Sequence, residues 1–114
     1  MAEIDDLLFV GFNSRVAALD RHTGDLVWSW KSPQGSGYVA LLLDGGLLFA
    51  SVQGYTYCLD PQTGVAWWQN DLKGMGIGVP CLATSRGNTG AATAVAAEAQ
   101  QSESSPHAPD PSGA

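Results

Sequence analysis

Short apolar runs separated by Gly-, Asp-, Asn- and Pro-containing breaks occupy the first 87 residues. They fall at residues 7–12, 15–19, 25–31 and 38–43, and again at 47–52, 55–59, 65–70 and 79–83. Their richness in Val, Leu, Phe, Tyr and Trp predicts β-strands. The breaks include Asn13-Ser14, Thr23-Gly24 and Asp44-Gly45-Gly46, residue types that suit hairpin turns. Alternation within the runs is blurred by nearly continuous apolar character, which suits sheets covered on both faces. No helical period stands out before residue 88.

The runs repeat. At an offset of 40 residues, Leu7-Leu8-Phe9 falls on Leu47-Leu48-Phe49, Leu19-Asp20 on Leu59-Asp60, and Thr23-Gly24 on Thr63-Gly64. Trp28 then falls on Trp68, Val39 on Val79 and Leu42 on Leu82. A period of about 40 residues suits a four-stranded propeller blade.

One motif recurs within the repeat: Leu-Asp-x-x-Thr-Gly-x-x-x-Trp, from Leu19 to Trp28 and from Leu59 to Trp68. Asp20 and Asp60 are suited to accept backbone N–H groups in an Asx turn. Thr23 and Thr63 are placed to cap the turn through their hydroxyls. Gly24 and Gly64 suit a positive φ, where a Cβ is costly. Trp28 and Trp68 then offer large rings to pin one blade to another.

The motif resembles the tryptophan-docking motif of the quinoprotein-like (pyrroloquinoline-quinone-type) β-propeller repeats. That family's motif opens with Ala, matched here by Ala18, with Cys58 as a small replacement in the second copy. The resemblance covers about residues 7–84 and implies an all-β fold of antiparallel propeller blades. It does not extend to the chemistry of the family's dehydrogenases, which use a vicinal disulfide, a catalytic Asp and acidic metal ligands. Cys58 and Cys81 are not adjacent, and no acidic cluster resembles a calcium site. No catalytic residue, cofactor or metal is therefore assigned. Many members of the family are non-catalytic scaffolds, among them outer-membrane assembly lipoproteins.

By analogy with the family, the innermost strand of a blade precedes the Leu-Leu-Phe strand. The chain then holds a blade lacking its inner strand (residues 7–31), a complete blade (38–70) and a spare inner strand (79–83). Two blades do not close a propeller or cover their own faces. These ends predict a cyclic homo-oligomer in which the strand at 79–83 of one copy completes the first blade of the next. Four chains, giving eight blades, are favoured, with three chains and six blades as the alternative. The predicted unit is 1–87, and 88–114 is predicted to be a disordered Ala/Ser/Pro-rich acidic tail.

Composition narrows the chemistry. The formal net charge of −6, from 11 acidic and 5 basic residues, argues against nucleic acid and an anionic membrane surface. Two Cys and two His exclude a zinc finger or a disulfide framework. Both cysteines, in apolar runs, are expected to be reduced and buried. No basic, apolar leader opens the sequence, which leaves a cytoplasmic expectation. Arg15 and Tyr55 align at the start of the second strand of each repeat, a position that approaches one end of a propeller channel; the simpler reading is solvent-facing turn residues. The Gly-rich stretch at 73–78 lacks the Lys-Ser/Thr of a phosphate loop and is read as a connector. Trp30 and Trp67 have no counterpart in the other repeat and are expected to cover blade faces or subunit contacts. The resulting expectation is a non-catalytic scaffold that binds a protein or small ligand; a fragment of a larger propeller, or an enzyme with sites between subunits, are the alternatives.

Overall fold

The computed structural model describes residues 3–89. A 3-10 turn at Ile4–Asp6, which the apolar pattern did not predict, leads into the strands. A three-stranded antiparallel sheet follows, in the order β1 (Leu7–Phe12), β2 (Arg15–Asp20) and β3 (Leu26–Lys31). The second sheet has four antiparallel strands: β4 (Val39–Asp44), β5 (Leu47–Val52), β6 (Tyr55–Leu59) and β7 (Ala66–Asn70). A two-stranded hairpin, β8 (Ala83–Thr84) and β9 (Gly87–Asn88), completes the described part. The fold is all-β, with every sheet a meander of neighbours in sequence.

The tight links explain these hairpins. Asn13 and Ser14 join β1 to β2 with φ of 50° and 64°, and Gly45 and Gly46 join β4 to β5 at 61° and 78°. Two consecutive positive φ values match the right-handed twist of paired strands. The two large sheets also share a fault in their ladders. Register shifts between Ala18 and Leu19 in one and between Cys58 and Leu59 in the other, 40 residues on. The repeat read from sequence is thus a repeat of structure, down to one irregular ladder position.

The core lies between the two large sheets. One face of the first presents Leu7, Val16, Ala18 and Trp28; the second presents Leu48, Ala50, Val52, Tyr57 and Leu59. These positions follow the period of two that strands require, and they use opposite phases of the repeat. The first blade docks with its Phe9 and Trp28 side, and the second receives it on its Leu48 and Val52 side. Trp30, half-buried, meets Tyr57 edge-on with ring centroids 4.7 Å apart, so it covers a blade face.

Two expectations are corrected. The strand expected at 79–83 is reduced to Ala83–Thr84, and residues 79–82 lie outside any strand. Pro80 lacks an N–H for a ladder, and the Gly-rich approach at 74, 76 and 78 favours loop over strand. The chain instead turns back on itself. The Leu82 N–H donates to Thr89 Oγ1 at 3.0 Å and the Thr89 N–H to the Leu82 carbonyl at 3.0 Å, extending the β8–β9 hairpin. Cys81, expected to be buried, is exposed because its segment is loop rather than core strand; Cys58 is buried as expected. The tail expected from residue 88 begins within β9, and its residues from 90 onward lie outside the described residues.

At the same offset of 40, β8 and β9 stand where the end of β4 and the start of β5 stand. They lie beside the second blade: Arg86 pairs with the Asp44 carboxylate at 2.6 Å, and Leu82 joins Leu42 and Phe49 around a small cavity. In position this hairpin corresponds to the tip of the β4–β5 hairpin, one repeat on.

Candidate functional site

The docking motif forms twice, with nearly the same bonds. The Asp20 carboxylate accepts from the His22 N–H at 2.8 Å and the Thr23 N–H at 3.2 Å. Asp60 accepts from the Gln62 N–H at 2.9 Å. The Gly24 N–H donates to the Asp20 carbonyl at 2.7 Å, and the Gly64 N–H to the Asp60 carbonyl at 2.8 Å. Thr23 Oγ1 accepts from the Asp25 N–H at 3.2 Å, and Thr63 Oγ1 from the Val65 N–H at 3.3 Å. Gly24 and Gly64 hold φ of 80° and 78°. Local sequence builds each turn without help from the neighbouring blade.

Docking joins the first tryptophan to the second turn. Trp28 Nε1 donates to the Pro61 carbonyl at 2.8 Å, and its six-membered ring lies over Gly64. A Cβ at Gly64 would stand 2.5 Å from Trp28 Cε3, so the turn needs glycine for this approach as well as for its φ. Pro61 is fully buried beneath the ring. The sequence singled out the Asp, Thr, Gly and Trp of the motif but not Pro61. Its role comes from a carbonyl, which any residue type supplies.

The same parts at the ends of the unit are open. Trp68 is 48% exposed, against 9% for Trp28. It nonetheless keeps the same pose: Phe49 and Trp68 lie 6.2 Å apart at 43°, and Phe9 and Trp28 lie 6.1 Å apart at 43°. At the other end the turn at residues 21–24 is exposed throughout, and a Cβ at Gly24 would meet nothing within 4 Å. Leu48 and Val52 are 1% and 0% exposed, whereas their counterparts Leu8 and Phe12 are 54% and 57% exposed. Around Trp68 at one end, and around Leu8, Phe12 and Gly24 at the other, the unit therefore leaves parts of its own buried seam unpaired.

The other singled-out residues fall elsewhere. Arg15 is exposed, and its guanidinium donates to the Asn13 carbonyl at 3.1 Å, as a turn residue would. Tyr55 is half-buried and borders an open cleft of about 420 Å³ with Gln53, Asp71 and Lys73. Thus the cleft joins Tyr55 to the Gly-rich connector. Burial pushes the Cys58 thiol above its ordinary value. Among the described residues, no group of three His, Cys, Asp or Glu side chains is gathered for a metal.

Consecutive antiparallel blades, pinned by a tryptophan on the next blade's turn, define a β-propeller repeat protein. The model of the family described as "Outer membrane protein assembly factor BamB" matches residues 12–103, and the chain belongs to this family. The crystal structure of BamB from Moraxella catarrhalis is similar, with a TM-score of 0.50 and 24% identity over 57% of this chain. The match covers 20% of that protein, so the chain spans a small part of its length. A search of curated proteins returned no match.

Proposed function

We propose that the chain is a non-catalytic interaction scaffold, a two-blade unit of a β-propeller that is completed by further blades and binds another protein. The observation that carries this reading is the complementarity of its ends. Trp68 and Phe49 repeat the half of the seam that docks, while Leu8, Phe12 and Gly24 repeat the half that receives. Large apolar side chains left exposed together at both ends, Trp68 at one and Leu8 and Phe12 at the other, mark contact surfaces. The family's description as an assembly factor supports protein rather than small-substrate binding.

In the form we favour, copies of the chain close the ring, four giving eight blades and three giving six, within the usual range for propellers. Closure by strand exchange requires Leu82, Ala83 and Thr84 to give up their short ladder with residues 87–89 for β1 of the next copy. A second reading is that the blades belong to a longer propeller. The 20% coverage of the Moraxella catarrhalis protein favours it.

Light scattering behind a sizing column tests the reading. A folded species of three or four times the 11.9 kDa chain mass supports the ring. A folded monomer, or a chain that does not fold alone, rejects the ring and assigns the blades to a longer propeller.

A further inference from the structure

We propose that copies of this chain dock head to tail, with Trp68 of one copy seated on the turn at residues 21–24 of the next; this rests on the ring reading above and names its contact. In this contact the indole lies over Gly24, and its Nε1 donates to the carbonyl of Arg21, which stands where Pro61 stands. Three observations support it.

First, Trp68 is held for docking without a partner. Its geometry against Phe49 repeats that of Trp28 against Phe9 to within 0.1 Å, yet half its surface is exposed. An exposed indole gains nothing from water in that pose, whereas burial of such a ring is among the largest single contributions to an interface.

Second, the receiving turn is built and empty. Asp20, Thr23 and Gly24 repeat the bonds of Asp60, Thr63 and Gly64, and Gly24 leaves open the space that Trp28 fills above Gly64. The sequence contains no third copy of this turn. At the next offset, residues 100–104 read Gln-Gln-Ser-Glu-Ser, with neither the Asp nor the Gly. The turn of a second copy supplies the Asp and Gly that residues 100–104 lack.

Third, the flanking loop matches. Along the existing seam the connector at residues 32–37 lies over the second blade, where a Cβ at Gly35 would stand 3.0 Å from Val52 Cγ1. One period on, Met75 replaces Gly35 and Ile77 replaces Gly37, and both are exposed. One period back, Phe12 replaces Val52 and is exposed too. Head-to-tail docking lays Met75, the counterpart of Gly35, against Phe12, the counterpart of Val52, of the next copy. Apolar side chains exposed at both ends of one chain are thereby covered in a single contact.

The test uses the full chain with two substitutions. Trp68→Ala removes the docking ring but keeps the receiving turn. Gly24→Asn keeps the ring but puts a side chain in the receiving space, and Asn tolerates a left-handed φ. Circular dichroism should show the wild-type fold in both. The expected result by light scattering is a three- to four-fold fall in mass for each variant alone, to the 11.9 kDa chain. An equimolar mixture should form a species of twice that mass, because it rebuilds one intact contact. Variants that keep the wild-type mass, or a mixture that stays monomeric, would overturn the docking contact while leaving a ring built by other contacts. A monomeric wild-type chain would overturn the ring and this contact together.

Discussion

The ring of Trp28 lies so close over Gly64 that a Cβ there would stand 2.5 Å from Cε3, while its Nε1 reaches the Pro61 carbonyl at 2.8 Å. This one side chain supplies both apolar contact and a buried hydrogen bond between the blades. Trp28→Ala should destabilise the chain by about 3–5 kcal/mol, as removal of a buried aromatic ring does. Trp28→Phe should cost about 1–3 kcal/mol, because it leaves the Pro61 carbonyl without its donor. Urea unfolding curves measure both. Trp68→Ala should change the stability of an isolated chain far less, since that ring is half exposed.

Gly64→Ala and Gly24→Ala separate two costs. Both glycines hold nearly the same left-handed φ, so both substitutions share a backbone cost of about 1–2 kcal/mol. Only Gly64→Ala also drives a methyl into Trp28. Thermal unfolding should show a clearly larger loss for position 64. Equal losses would mean that the ring shifts freely over the turn.

Asp60→Ala should cost about 1 kcal/mol, the usual net worth of such a turn bond, and Asp20→Ala a similar amount. Each carboxylate holds the backbone N–H two residues on, at 2.9 Å and 2.8 Å. A readout that separates local from seam effects is Trp28 fluorescence. Asp60→Ala should alter it, because Asp60 shapes the turn that Trp28 covers; Asp20→Ala should not.

The two cysteines should react at very different rates. A thiol reagent should label exposed Cys81 at once and buried Cys58 only on unfolding. Burial raises the Cys58 thiol in the folded chain, so above the ordinary thiol value of about 8.5 the unfolded chain loses that proton first. The stabilisation is complete below the unfolded thiol's value and is lost as pH rises from there through the raised value of the folded thiol. Cys58→Ala should flatten this alkaline decline in denaturant titrations between neutral and strongly alkaline pH.

Arg86→Ala should cost no more than about 1 kcal/mol, although its ion pair with Asp44 is only 2.6 Å long. The guanidinium is mostly exposed, and water screens such a pair. A large loss in thermal stability would show that this contact anchors the β8–β9 hairpin against the second blade.

Much of the fold was legible because its determinants are neighbours in the chain. The strands from residue 7 to residue 70 stand where the apolar runs placed them, to within a residue at their ends. The Asp, Thr and Gly of each motif close their own turn through partners two to five residues away. Identical local sequence thus made nearly identical turns. The run at 79–83 misled because apolar content alone does not make a strand. Pro80 interrupts it, and the chain's own return at Leu82–Thr89 took the available ladder.

By itself, then, the amino-acid sequence determined the blades, their turns, the 40-residue period and the paired tryptophans. Only the tertiary structure decided which tryptophan is buried, which carbonyl receives it and which faces stay open. Trp28 and Trp68 sit in like local sequence and in like poses against Phe9 and Phe49, yet differ fivefold in exposure. The difference is what stands against each face. Trp28 meets a turn 33 residues further along the chain, and such burial depends on the packing of whole sheets rather than on neighbours in sequence.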